Sequence, residues 1–174
     1  LLTRWKAGDI GRKAAEPVPS PYAGQLELEF QSALKERHSG LKLKDCSFYH
    51  TMDLPTGEHV DGEWDLRGEE ETYLGHYNFR GKRALELGPA SGHLTYFMEK
   101  AGASVVSFDL PFDGGPALVP IYGLDLKLAG KAGADAFRPV RNSWWYAHSS
   151  FDSRAKAVYG NIESLPTDIG RFDV

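Results

Sequence analysis

Cysteine is almost missing from this chain: Cys46 stands alone among 174 residues. One thiol excludes an internal disulfide and a multi-cysteine zinc site, so a reducing compartment is expected. No apolar run is long enough to cross a bilayer, and Leu1-Leu2-Thr3-Arg4-Trp5-Lys6 is not followed by the apolar region of a signal peptide. The expected setting is the cytoplasm, with no membrane partner. Positive charge is not in excess either. With 20 Lys and Arg against 24 Asp and Glu, the formal net charge of −4 offers no global attraction to nucleic acid, although it leaves room for a local basic face. Repeats and low-complexity tracts are absent. What remains, 41% apolar and 25% charged residues, is enough to bury a core in one domain carrying a partial second element.

Residues 1–22 are polar and hold Pro17, Pro19 and Pro21, which predicts a flexible arm or linker. Residues 23–80 read as a helical and hairpin extension. Leu26, Phe30, Ala33, Leu34 and Arg37 recur at helical spacing, and Gly40 is placed to end that helix. The aromatic stretch 46–54 then meets Pro55-Thr56-Gly57 and continues through Glu58-His59-Val60, which predicts extended structure with a turn. His50 and His59 would face each other across that hairpin. Two histidines without a third ligand make a poor zinc site, so no metal is expected. Residues 65–77 read as a short helix whose first-turn acids oppose the helix dipole, with Tyr73, Leu74 and Tyr77 packed on the body.

The chain is organised around Arg83-Ala84-Leu85-Glu86-Leu87-Gly88-Pro89-Ala90-Ser91-Gly92-His93. Its apolar run predicts a buried parallel strand stopping at Gly88, and residues 94–101 predict a helix. Backbone N–H groups at that helix start face the carboxyl end of the strand, where ligands of open α/β sheets sit. A dinucleotide turn, G-x-G-x-x-G/A, needs bare glycine backbone at its second position, for the pyrophosphate, and a small residue at its third, for close helix packing. This chain has Gly88, Ala90 and His93 there, so a methyl and a bulky ring oppose a pyrophosphate.

A second strand is predicted over Ser104–Asp109. Asp109, at its tip beside the first loop, can accept two hydrogen bonds from ribose hydroxyls. The glycine- and proline-rich stretch 111–139 is long for a connection and reads as an insertion forming a lid or substrate-side element. Residues 142–151 predict a helix capped by Asn142, with Trp144, Ala147, His148 and Phe151 on one side. Such aromatics usually pack a helix on its sheet. Three adjacent rings exceed one stripe, so Trp144 and Tyr146 are candidate substrate contacts and His148 a speculative general base. A third strand is predicted over 155–159, and Gly170–Val174 read as the opening of a fourth.

The pattern acid-x-Gly-x-x-x-Gly, Glu86 to Gly92, resembles the first motif of the class I S-adenosylmethionine-dependent methyltransferases. That resemblance implies a Rossmann-like α/β fold over residues 81–174: a parallel-stranded sheet with flanking helices, truncated after its fourth strand, with residues 23–80 capping the cofactor site. It implies S-adenosylmethionine as cofactor, held by Glu86, Gly88, Pro89, Ala90, Ser91 and Gly92, by Asp109 with neighbouring Leu110, and by Asn161 and Ile162. In that family the loop passes under the methionine moiety, and the acid helps hold the loop and the amino group. A cofactor with an ammonium, a sulfonium and no phosphate makes an acid useful there.

Residues 160–166 resemble the family's signature after the third strand, where an acid meets the adenine amino group and the next backbone amide meets the ring. Asn161 stands at the acid's position, and its carbonyl can still accept from an amine. Helices in the place of residues 65–77 often cap the pocket in this family, which makes Trp64 and Arg67 candidate lining. The order Tyr49-His50, Asp53-Leu54-Pro55, Gly57 and Trp64 is similar to the segment before the first motif in methyltransferases that modify the wobble uridine of tRNA.

The implied reaction is methyl transfer to a small-molecule oxygen or nitrogen nucleophile. A tRNA wobble uridine is the alternative substrate, and a non-catalytic cofactor-binding module the alternative class. A half-sheet ending at its fourth strand would expose apolar surface, so a second copy of the chain or a missing carboxyl-terminal segment is expected to cover that edge.

Overall fold

The computed structural model describes residues 25–112, 114–115 and 118–174; the expected arm, residues 1–22, lies outside them. The chain opens with α1 (Gln25–His38), whose last turn carries Lys35, Arg37 and His38 against the negative end of the helix dipole. A 3-10 turn, Leu43–Asp45, leads to β1 (Met52–Asp53) and β2 (His59–Val60), an antiparallel pair. The turn between them closes as its sequence requires: Gly57, left-handed at φ 95°, donates to Leu54 O, and Leu54 donates to Glu58 O, both at 2.9 Å. The helix expected over 65–77 is only the single turn α2 (Glu70–Tyr73). Gly68 and Gly75 flank it with φ of 87° and 66°, which removes helical backbone on both sides.

Three parallel strands follow: β3 (Arg83–Leu87), β4 (Ser104–Asp109) and β5 (Lys156–Tyr159), in spatial order β3-β4-β5. They are linked by α3 (His93–Lys100) and α4 (Leu126–Ser150). The alternating side chains divide cleanly. Ala84, Val105 and Ala157 join Phe30, Met98, Trp144 and Trp145 from the three helices. Val106, Phe108 and Val158, with Leu85, meet Leu26, Leu165, Ile169 and Phe172 on the other face. A mixed α/β fold with a parallel sheet covered on both faces results.

The sequence places a helix start at Asn142, but the helix begins sixteen residues earlier, where Asp125 Oδ1 caps Leu128 N at 3.0 Å. The expected stretch 111–139 is therefore not one connection, since its second half is the first half of α4. Pro139 lies inside the helix, where it costs about 3 kcal/mol. The Pro139 carbonyl also ties the helix to the extension, accepting from Ser47 N at 3.0 Å and from Ser143 Oγ at 2.9 Å. Burial of Trp144, Trp145 and Ala147 on the same helix, each at most 1% exposed, outweighs the local penalty.

Residues 170–174 form no regular strand. They do begin to pair, because Asp173 N donates to Arg83 O at 2.8 Å and Leu85 N to Val174 O at 2.9 Å. That contact lies on the edge of β3 opposite β4. Among the described residues no helix is long and apolar enough to cross a membrane.

Candidate cofactor-binding site

β3 ends in a turn that needs left-handed backbone three times in five residues: Gly88 at φ 69°, Ala90 at 49° and Gly92 at 86°. Ala90 holds this conformation with a Cβ, at a cost of about 1–2 kcal/mol. The surroundings enforce it. Gly92 N donates to Pro89 O at 2.8 Å, while Ser91, fully buried, accepts from the backbone N–H of both Tyr49 and His50 at 3.2 Å. The extension is thereby fastened to the loop. Gly92 is also a packing necessity, for a Cβ there would stand 2.6 Å from the Tyr96 ring and 2.9 Å from Trp144.

The three strand ends are locked side by side. Gly88 N donates to Phe108 O and Gly160 N to Asp109 O, both at 2.9 Å. Glu86, Asp109 and the segment 160–162 therefore lie at neighbouring tips, as the sequence leads one to expect. Adjacent strands stand about 4.8 Å apart, so a ligand the size of a nucleoside reaches all three.

Glu86 is gripped from inside. Its Oε2 accepts from Ser107 Oγ at 3.1 Å and from Thr95 Oγ1, which in turn accepts from Trp144 Nε1 at 3.3 Å. Burial pushes its carboxyl up to about 7, against the pull of the Thr95 and Ser107 hydroxyls and with a further push from the charge of Asp109. The acid thus sits between neutral and charged at physiological pH and gains from a cation. Asp109 Oδ1 accepts from Leu110 N at 2.8 Å, and Oδ2 lies 3.5 Å from Nε of the buried Arg141. Leu110 is half-buried, whereas Asn161 and Ile162 are exposed. Asn161 Oδ1 accepts from Glu163 N at 3.1 Å, so its carbonyl caps the following 3-10 turn. Leu87 and Ile162, 58% and 49% exposed, present apolar surface at two of the tips.

Beside the loop, His93 Nε2 donates to Glu70 Oε1 at 3.1 Å, and the His50 ring lies 5.5 Å from that of His93. Burial lowers the pKa of both rings; that of His50, which His93 depresses further, falls to about 4. Glu70 therefore has a side-chain partner in addition to its place in the first turn of α2.

Other expected site residues take different parts. His148 is 2% exposed and fully engaged: Nε2 donates to Ala155 O at 2.8 Å, and Nδ1 accepts from His38 Nε2 at 3.1 Å. Burial lowers its pKa to about 4. With no free nitrogen and no solvent face it serves packing, which corrects its expected role as a base. Trp144, 1% exposed, supports the site from below, through Thr95 and against Gly92, and is a core ring rather than a substrate contact. Tyr146 is half-buried and donates to Glu58 Oε1 at 2.7 Å. Of the three side chains expected to pack on the body, Leu74 joins the core and the Tyr77 ring stands 5.0 Å from buried Phe79, while Tyr73 is 65% exposed. His59 faces Asp53, at 2.7 Å, rather than His50. Arg67 pairs with Asp53 and Asp65 at 2.8 and 2.7 Å, and Trp64 is 59% exposed.

Sequence reasoning missed Thr95, Ser107 and Arg141. An arginine on the buried stripe of α4, three residues before Trp144 and seven before His148, was the available signal for the last. The two hydroxyls carried none, because only the fold aims them at Glu86. Compared with known proteins, the chain matches no family model, no curated protein and no solved structure.

Proposed function

We propose that the chain binds S-adenosylmethionine across the carboxyl ends of β3, β4 and β5, in a Rossmann-like arrangement, and transfers a methyl group to a small oxygen or nitrogen nucleophile. The observation that carries the reading is Glu86, held from inside by Thr95 and Ser107 at the mouth of a left-handed glycine turn. Its carboxyl, raised to about 7, is matched to a cationic amino acid moiety and opposed to phosphate. Asp109 offers acceptors for a ribose diol at the next tip, and Ile162 and Leu110 offer apolar surface to an adenine ring. The cofactor supplies a sulfonium methyl for in-line attack. The protein contributes orientation, and positioning carries much of the rate of such reactions. Pairing of residues 173–174 on the far edge of β3 supports the topology, since a strand order that reverses there puts a switch point at Gly88.

Amide hydrogen exchange with and without S-adenosylhomocysteine tests the site. Protection is expected at residues 88–93, 109–111 and 161–162, and unchanged exchange at all three would contradict it. A tRNA wobble uridine is the second reading, favoured by Trp64. Its ring is exposed, and its backbone pairs with Tyr49 and Thr51 beside the loop, where a base could stack. Methyl transfer to tRNA, abolished by Trp64→Ala, separates the two substrates.

A further inference from the structure

We propose that Arg141 is the positioning residue of the site: it holds Asp109 in the orientation that takes the two hydroxyls of a ribose. The inference rests on the cofactor reading above and adds a residue that no motif supplies.

Arg141 projects from the middle of α4 and is 3% exposed. Its Nη1 donates to Phe112 O at 2.8 Å and Gly114 O at 2.9 Å, so one guanidinium gathers the backbone that follows Asp109. Its Nε stands 3.5 Å from Asp109 Oδ2 and makes no hydrogen bond. The same segment is also pressed on α4, for a Cβ on Gly115 would lie 2.5 Å from Gly130 O. Phe112 is held as well, by the Tyr159 ring at 5.5 Å and the Arg37 guanidinium at 3.6 Å. Asp109 therefore leaves β4 into a segment that Arg141 ties down at Phe112 and Gly114.

The lone pairs of Asp109 give this arrangement its chemical meaning. An ionised carboxylate has about four acceptor sites. Leu110 N takes one on Oδ1, and Arg141 faces one on Oδ2. At least one site on each oxygen is left, which matches a vicinal diol. A carboxylate without the guanidinium would turn toward solvent, and its two open acceptors would no longer meet the diol together. Arg141 acts through Asp109 and touches no ligand itself.

Titration calorimetry with S-adenosylhomocysteine and with its 2′,3′-dideoxy analogue reads this role directly. Arg141→Met is expected to weaken S-adenosylhomocysteine about tenfold, and the analogue less than about twofold, because only the former uses the diol. Arg141→Lys should recover part of the loss. In an Asp109→Asn background, Arg141→Met should add less than about twofold, since both substitutions remove one interaction. Equal losses for both ligands, or losses that multiply in the double variant, would overturn the inference and leave the cofactor reading intact. Failure of the unaltered chain to bind S-adenosylhomocysteine would overturn the reading and the inference together. If Arg141→Met does not fold, Arg141→Lys carries the same comparison, with a selective loss of about threefold expected and an unselective one contradicting it.

Discussion

Ser107 Oγ donates to Glu86 Oε2 at 3.1 Å between residues that are direct partners in the parallel register of β4 and β3. The only acid on β3 is thus built into the ladder that supports the glycine turn. Its burial is part of the fold, and its charge is part of the proposed chemistry, so the two should respond to pH in opposite ways.

Ligand binding gives the first response. A cofactor ammonium needs the carboxylate form, so affinity for S-adenosylhomocysteine should fall about tenfold per pH unit below about 7 and level off above it. Glu86→Gln should bind weakly and lose that slope. Calorimetry between pH 5.5 and 8.5 reads both, and parallel profiles for the two proteins would contradict the assignment.

Stability of the free protein gives the second. The folded-state pKa of Glu86 lies above its ordinary value of 4.5, so its stabilising contribution is complete below about 4.5 and is lost as pH rises through about 7. Glu86→Gln is expected to raise the midpoint of thermal unfolding at pH 8 and to change it little at pH 4.5. His50 and His148 work the other way. Both fall from 6.5 to about 4, so their contributions are present above 6.5 and are lost as pH falls through about 4. Differential scanning of the wild type, Glu86→Gln and His148→Phe across pH 4–8 separates the two windows.

The two loop glycines should fail differently. Gly92→Ala drives a methyl into the Tyr96 and Trp144 rings and keeps a left-handed φ, which should cost about 2–4 kcal/mol of stability. Gly88→Ala meets nothing within 4 Å, so only the backbone cost of about 1–2 kcal/mol applies. Its larger effect should be on ligand affinity, through a methyl aimed at the site. Urea unfolding together with calorimetry distinguishes them, and equal destabilisation by the two would be the wrong outcome.

His148→Ala should destabilise by about 2–4 kcal/mol through a cavity among Trp144, Trp145 and Phe30, with turnover per folded molecule unchanged. A large drop in turnover at unchanged stability would restore it as a base.

Much of this architecture is legible in the residues themselves. Short apolar runs mark β3 to β5, and Pro55 to Gly57 marks the hairpin turn, because these signals are local. The glycine turn and Asp109 are legible for the same reason. What is not legible depends on distant partners. Pro139 reads as a break until the burial of Trp144 and Trp145 is known, and Tyr73 reads as a packing ring until Gly68 and Gly75 are seen to confine its helix to one turn. Arg141 and Thr95 belong to the site only because the parallel order brings α4 and α3 against the tips.

The central claim is tested most directly by titrating S-adenosylhomocysteine into the folded protein by calorimetry, with NAD as the comparison. The account predicts saturable one-to-one binding that Asp109→Ala weakens at least about tenfold and far weaker binding of NAD. A folded sample that takes up no S-adenosylhomocysteine, or that prefers NAD, would contradict it.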